Sequence, residues 1–154
     1  MVNDLLAKLP ALLPLACQWA EQQERHIRQH GIPLSPQQVA DARLVGVQHP
    51  EQVRLLRVPV IPVPTQSELA AAAALTNLIS PVTAGLTLRY GIFVKEEFRG
   101  DRRLIAHELV HTSQYERFGG FDAFLQQYLT ECVTVGYLAA PLEQEAIRCS
   151  EQFR

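Results

Sequence analysis

The sequence predicts an α+β fold, mainly helical, organised as a single domain with a small β-sheet. Three observations carry this expectation. Apolar residues recur at helical spacing between capping and breaking residues through most of the chain. Only two stretches, residues 53–61 and 86–94, have the Val, Leu and Ile content of strands. The 154 residues show no repeat or linker, and no low-complexity stretch beyond the alanine run at 70–74, so the length suits one core.

Taken in order, residues 5–30 read as an N-terminal helical segment, jointed at Pro10 and Pro14, with Leu5, Leu6, Leu9, Leu12, Leu13 and Trp19 as its apolar side. Its start resembles a secretory leader in hydropathy, but Asp4, Lys8 and the two prolines interrupt the apolar run. Pro14-Leu15-Ala16-Cys17 fits a lipoprotein signal only loosely, so a folded helix is expected there. The far end is polar, and Gly31-Ile32-Pro33 stops it. His26 and His30 stand four apart, yet their neighbours are Arg25, Arg28 and Gln29 and no acid or cysteine follows at ligand spacing, which reads as a solvated helix end.

Ser35-Pro36 supplies an N-cap and a first-turn proline for a helix to about Val45. The strand at 53–61 is ended by Pro59, Pro62 and Pro64, and an alanine-rich helix follows over 69–78. Residues 81–85 read as a loop and 86–94 as one strand, in which Gly91 marks either a bulge or close backbone approach at a ligand-bearing edge, or an ordinary kink in a core strand. Gly100-Asp101 and Gly119-Gly120 bracket the next helix. Beyond it, Phe121, Phe124, Leu125, Tyr128, Leu129, Cys132 and Val133 form a core stripe ended by Gly136, and Pro141 opens a last helix through Phe153.

A net charge of −2 with 19% charged residues gives no basic surplus for nucleic acid. No run of 18 uncharged apolar residues suggests membrane insertion. Cys17, Cys132 and Cys149 are odd in number and lack C-x-x-C spacing, which fits a reduced, cytoplasmic chain.

The central motif is His107-Glu108-Leu109-Val110-His111. Residues four apart on a helix lie about 40° apart in azimuth, so both imidazoles can grip one cation while Glu108 reaches a water on it. The surrounding helix is apolar nearly all round and should be buried, which makes two imidazoles and a carboxylate costly there unless they are paired or bind metal. The plain alternative is two satisfied core histidines, with Glu108 paired to Arg102 or Arg103.

A catalytic zinc site usually takes three protein ligands and leaves one position to water. The acids downstream are Glu131, Glu143 and Glu145. Glu131 falls at the flank of its apolar stripe, and Glu145 lies with Arg148, Glu151 and Gln152 in a polar arc. Glu143 lies inside the apolar arc, between Ala146 and Ile147, and is the expected third ligand; helix ends read from sequence slip by a few residues, which keeps the other two in play.

His107, Glu108 and His111 followed by a glutamate on a later helix resemble the gluzincin class of zinc metallopeptidases, and the small size resembles minigluzincins. Residues 141–146 are similar to the E-x-x-A segment of that class, which carries the metal-ligand role onto Glu143. Ile147 departs from the pattern, since many members have an aspartate there that buttresses a histidine. The block from Thr83 to Ala146 also resembles a group of small bacterial proteins. The resemblance implies a zincin-like domain, Zn2+ as cofactor, Glu108 as general base, and a peptide or protein substrate that extends the sheet beside the metal helix. Tyr128 and Tyr137 are the candidate oxyanion donors, the first on a core stripe and the second in a loop. Two rival readings remain: a non-catalytic metal site closed by Cys132, Cys149 or His49 and serving protein interaction, and a latent peptidase whose N-terminal helix, with Cys17 and Trp19, fills the cleft.

Overall fold

The computed structural model describes residues 2–154, with side chains from Asp4 onward. Helix α1 (Val2–His30) runs unbroken through Pro10 and Pro14. Both prolines face solvent, where water can satisfy the carbonyls that a proline leaves without an N–H partner. Then follow β1 (Ile32–Pro33), α2 (Pro36–Leu44), β2 (Arg54–Val58), α3 (Ser67–Leu75), β3 (Gly85–Leu88), β4 (Gly91–Lys95), α4 (Arg102–Phe118), α5 (Phe121–Val135) and α6 (Pro141–Ser150). The α+β, mainly helical expectation holds.

The predicted caps form. Ser35 Oγ accepts the Gln38 N–H while Gln38 Oε1 accepts the Ser35 N–H, a reciprocal pair that starts α2. Asp101 Oδ1 accepts the Leu104 N–H at the head of α4, and Gly119 closes its tail at φ 86°, a left-handed conformation that favours glycine.

The sheet has the order β1-β2-β4-β3, with β2 and β4 parallel and the outer pairs antiparallel. Side chains alternate across it. Ile92 and Val94 of β4 join Leu55, Ala42, Ile105 and Leu109 in one core cluster, under α2 and α4. Phe93 points the other way, into a second cluster with Ala16, Ala20 and Ile27 of α1 and Phe124, Leu125 and Tyr128 of α5. Helices therefore cover both faces, and the two clusters share one sheet.

The last helix, expected through Phe153, ends at Ser150, and two strand expectations need correction. The predicted 86–94 strand is a hairpin: β3 and β4 pair antiparallel, Leu86 opposite Phe93, across a turn at Arg89-Tyr90. Arg89 takes φ 61°, an uncommon conformation for a side-chain-bearing residue. Tertiary contacts hold it there. The buried Glu24 carboxylate receives Arg89 Nε at 2.8 Å, Arg89 Nη2 at 2.7 Å and the Tyr90 N–H at 3.0 Å, while Thr112 Oγ1 donates to the Arg89 carbonyl. The second correction is the 53–61 strand, which contracts to β2, with Pro59 and Pro62 flanking the irregular stretch beyond it.

Gly91 does mark a close approach, but of α1 rather than a ligand: a Cβ there would lie 3.0 Å from Ile27 Cβ. Ile27 and Glu24 are fully buried within the end of α1 that reads as polar, while His26 and His30 are exposed as expected. Because the same helix places Ala20, Glu24 and Ile27 in the core, α1 is a structural member of the fold and not a detachable cover, which counts against the latent reading. Among the described residues no helix is long and apolar enough to cross a membrane.

Candidate metal centre

Helices α4 and α6 bring His107, His111 and Glu143 together. His107 Nε2 lies 2.7 Å from Glu143 Oε1, and His111 Nε2 lies 3.1 Å from Glu143 Oε2. One ligand atom from each falls within 4.8 Å of the others, and they form the only such cluster among the described residues. Glu143 is 2% exposed and His111 6%, so these charges are held away from water. Two imidazole nitrogens and a carboxylate oxygen are the donor set of catalytic zinc sites, and the residues present fit that ion.

The placement of each donor has a local cause. Pro141 opens α6 after Ala140, which cannot cap with its side chain. Glu131 of α5 does so instead, its Oε1 accepting the Leu142 N–H at 2.9 Å, and this fixes the turn that carries Glu143. Glu131 is thus a capping group and not a ligand. Tyr128 Oη donates to Glu143 Oε2 at 2.9 Å and Tyr137 Oη to Glu143 Oε1 at 3.3 Å. Tyr128 is steadied by a run of stacked rings: Tyr115 lies 3.9 Å from Phe124, which lies 5.4 Å from Tyr128.

Gln114 braces His111. Its Nε2 donates to the Leu142 carbonyl at 2.8 Å and to Glu145 Oε1 at 2.6 Å, both of which only accept. Gln114 Oε1 must then face His111 Nδ1, 2.8 Å away, so that nitrogen carries a proton, and Nε2, which here meets Glu143 Oε2 at 3.1 Å, is the nitrogen a cation would take. Glu145 also receives Arg117 Nη2 at 2.8 Å, so it acts two bonds behind His111 and not as a ligand. Gln114 lies three residues after His111, a spacing that could have revealed it.

Glu108 does not pair with Arg102, which is held by Asp41 at 2.8 and 2.9 Å. Its carboxylate Oε1 accepts Thr87 Oγ1 at 2.8 Å, and a Cβ on Gly85 would lie 3.0 Å from Glu108 Cγ. Gly85 and Thr87 are alternate residues of β3, so the edge strand itself seats Glu108. None of Cys132, Cys149 and His49 joins the cluster; His49 instead contacts Glu51 at 3.4 Å. A cleft of about 1100 Å³ opens at His107, Glu108 and Gly85.

Burial disfavours a charged His111, but the hydrogen bond and negative charge of Glu143, with Glu108 and Gln114, outweigh it and push the imidazole up to about 9. Burial likewise opposes the Glu143 charge, and the bonds and charge of both histidines hold its carboxyl well below the usual range. These are two sides of one interaction, counted once. A raised imidazole contributes stability that is complete below its ordinary value near 6.5 and lost as pH rises through about 9. The metal-free chain should therefore lose on the order of 3 kcal/mol of unfolding free energy between pH 7 and 10. Urea unfolding across that range checks this, and a flat profile would remove the His111–Glu143 pair.

No family model, curated protein or solved structure matches the chain. The functional reading therefore rests on the geometry of the site.

Proposed function

We propose that the chain is a zinc-dependent peptidase of the gluzincin type, acting in a reducing, cytoplasmic setting. The observation that carries the reading is the convergence of His107, His111 and Glu143, with Glu108 seated beside them at the floor of an open cleft. His107, His111 and Glu143 would hold a divalent cation, which would supply Lewis acidity and make a water beside Glu108 easier to deprotonate. Glu108, one residue from a ligand and oriented by Thr87, accepts the proton of the attacking water and returns it to the departing amine. Tyr137 lines the cleft, and burial with the nearby Glu143 charge raises its phenol, so it stays protonated; its one O–H, which here reaches Glu143 Oε1 at 3.3 Å, would turn from that long bond to donate to a developing oxyanion. Tyr128 lies deeper, among the core aromatics.

The edge strand β3, bonded on one side only, is the element beside α4 that an extended peptide would join. Three donors rather than four support an exchangeable position over a closed structural site. The three thiols are unpaired, in keeping with a reducing compartment.

Gly85→Ala tests the seat of the general base. A methyl group 3.0 Å from Glu108 Cγ and 3.2 Å from Oε2 must displace the carboxylate by a few tenths of an ångström. Turnover of an unfolded protein substrate should fall roughly 10-fold with zinc content unchanged. Full activity would place the catalytic carboxylate elsewhere.

A further inference from the structure

The cleft carries a chemistry that the donor set alone does not dictate. Eight large apolar side chains are exposed among the described residues, and four of them, Leu75, Val82, Val135 and Leu138, line this one cleft. They come from two separate stretches, the end of α3 with its connection to β3 and the end of α5 with the segment leading to α6. Val82 is 83% exposed and Leu138 70%, so neither is there to fill a core.

The cleft also leads inward. A second cavity of about 120 Å³ shares Gly85, Glu108, Val133 and Tyr137 with it; His111 and Glu143 lie along it, and Leu9 and Trp19 of α1 and Leu86 of β3 are among its apolar walls. A dry apolar cavity of ~150 Å³ holds a benzene ring, so this recess has room for about one branched or aromatic side chain. Charge is scarce along the cleft. Its acids are Asp101, whose carboxylate caps α4, and Glu108, which accepts from Thr87. The recess adds Glu143, held by both histidines, Tyr128 and Tyr137, so each of these acids already has a partner and none stands free for an α-ammonium group. The one guanidinium is Arg103, an exposed side chain beside Asp101.

We infer that the cleft binds an extended internal segment of an unfolded polypeptide rich in large apolar side chains, with one of them in the recess beside Glu108. The specificity is that of an endopeptidase. It depends on the peptidase reading for cleavage but not for binding, and the two separate experimentally.

The probe is a pair of short unstructured peptides, N-acetylated and C-amidated, identical except that Leu, Phe and Val in one are Ser and Gln in the other. Binding is read by fluorescence anisotropy on zinc-loaded Glu108→Gln protein, with and without Val82→Asp and Leu138→Asp. Both substitutions lie on exposed side chains, so the fold should tolerate them. The apolar peptide should bind at least about 10-fold more tightly than the polar one, and the two aspartates should abolish most of that difference. Equal binding of both peptides, binding unchanged by the aspartates, or binding of the apolar peptide only when it is made with unblocked termini would overturn the inference. In each of those cases, cleavage of any peptide by the wild-type protein would leave the peptidase reading standing. Apolar-selective binding without cleavage by wild type would support the inference and overturn the peptidase reading instead.

Discussion

Glu108→Gln should retain zinc and lose peptide hydrolysis by roughly 10²–10⁴-fold, the range expected when a positioned general base is removed. The substitution is nearly isosteric. The amide oxygen can still accept Thr87 Oγ1, which the carboxylate Oε1 now accepts at 2.8 Å. The neighbouring His107 and His111 keep their contacts with Glu143, so metal content should not change. What disappears is a group able to take a proton from water and release it to the leaving amine. An undiminished rate at full zinc occupancy would exclude this mechanism while sparing the metal centre.

Glu143→Ala should have the opposite signature, with zinc affinity lost and the fold weakened. Removing an outer-shell partner costs about 10–100-fold in affinity, so loss of a ligand should cost at least about 100-fold. The metal-free fold suffers as well. Glu143 is 2% exposed and accepts from Tyr128 and Tyr137 as well as meeting both histidines, and breaking a buried pair of this kind costs about 3–5 kcal/mol. Glu143→Gln preserves volume and some hydrogen bonding, which separates loss of metal from loss of fold. Glu145→Ala acts only through Gln114 and Arg117 and should weaken zinc by about 10-fold.

Local signals were enough to read α4 and the shared face of its two histidines. The Asp101 cap, the Gly119 stop and the four-residue spacing of His107 and His111 are written within one helix. Glu143 could be chosen over Glu145 because burial on α6 follows from which arc carries Ala146 and Leu142, and both are buried. The β3–β4 hairpin was not legible. Its turn has no Asn-Gly or Asp-Gly pair, and Leu86, Leu88, Tyr90, Ile92, Phe93 and Val94 stand close enough on both sides of Arg89 to read as one strand. The turn is imposed by Glu24, which lies 65 residues before Arg89, and no local pattern predicts that pair.

The seat of Glu108 was hidden for the same reason. Thr87 precedes it by 21 residues and meets it only because β3 packs on α4. Glu131 shows how a side chain of the right chemical type can serve a different purpose, since this acid on the flank of α5 stands in for the side-chain cap that Ala140 cannot provide. Hydrophobic periodicity locates such an acid at a boundary but does not say which partner it finds there.

Zinc titration of the metal-free wild-type, Glu143→Ala and Glu145→Ala proteins bears most directly on the centre formed by α4 and α6. One zinc ion per wild-type chain, near-complete loss of binding in Glu143→Ala and a modest loss in Glu145→Ala are expected. Absence of zinc binding by the wild-type chain, or wild-type affinity in Glu143→Ala, would contradict the assignment of His107, His111 and Glu143 as a metal centre.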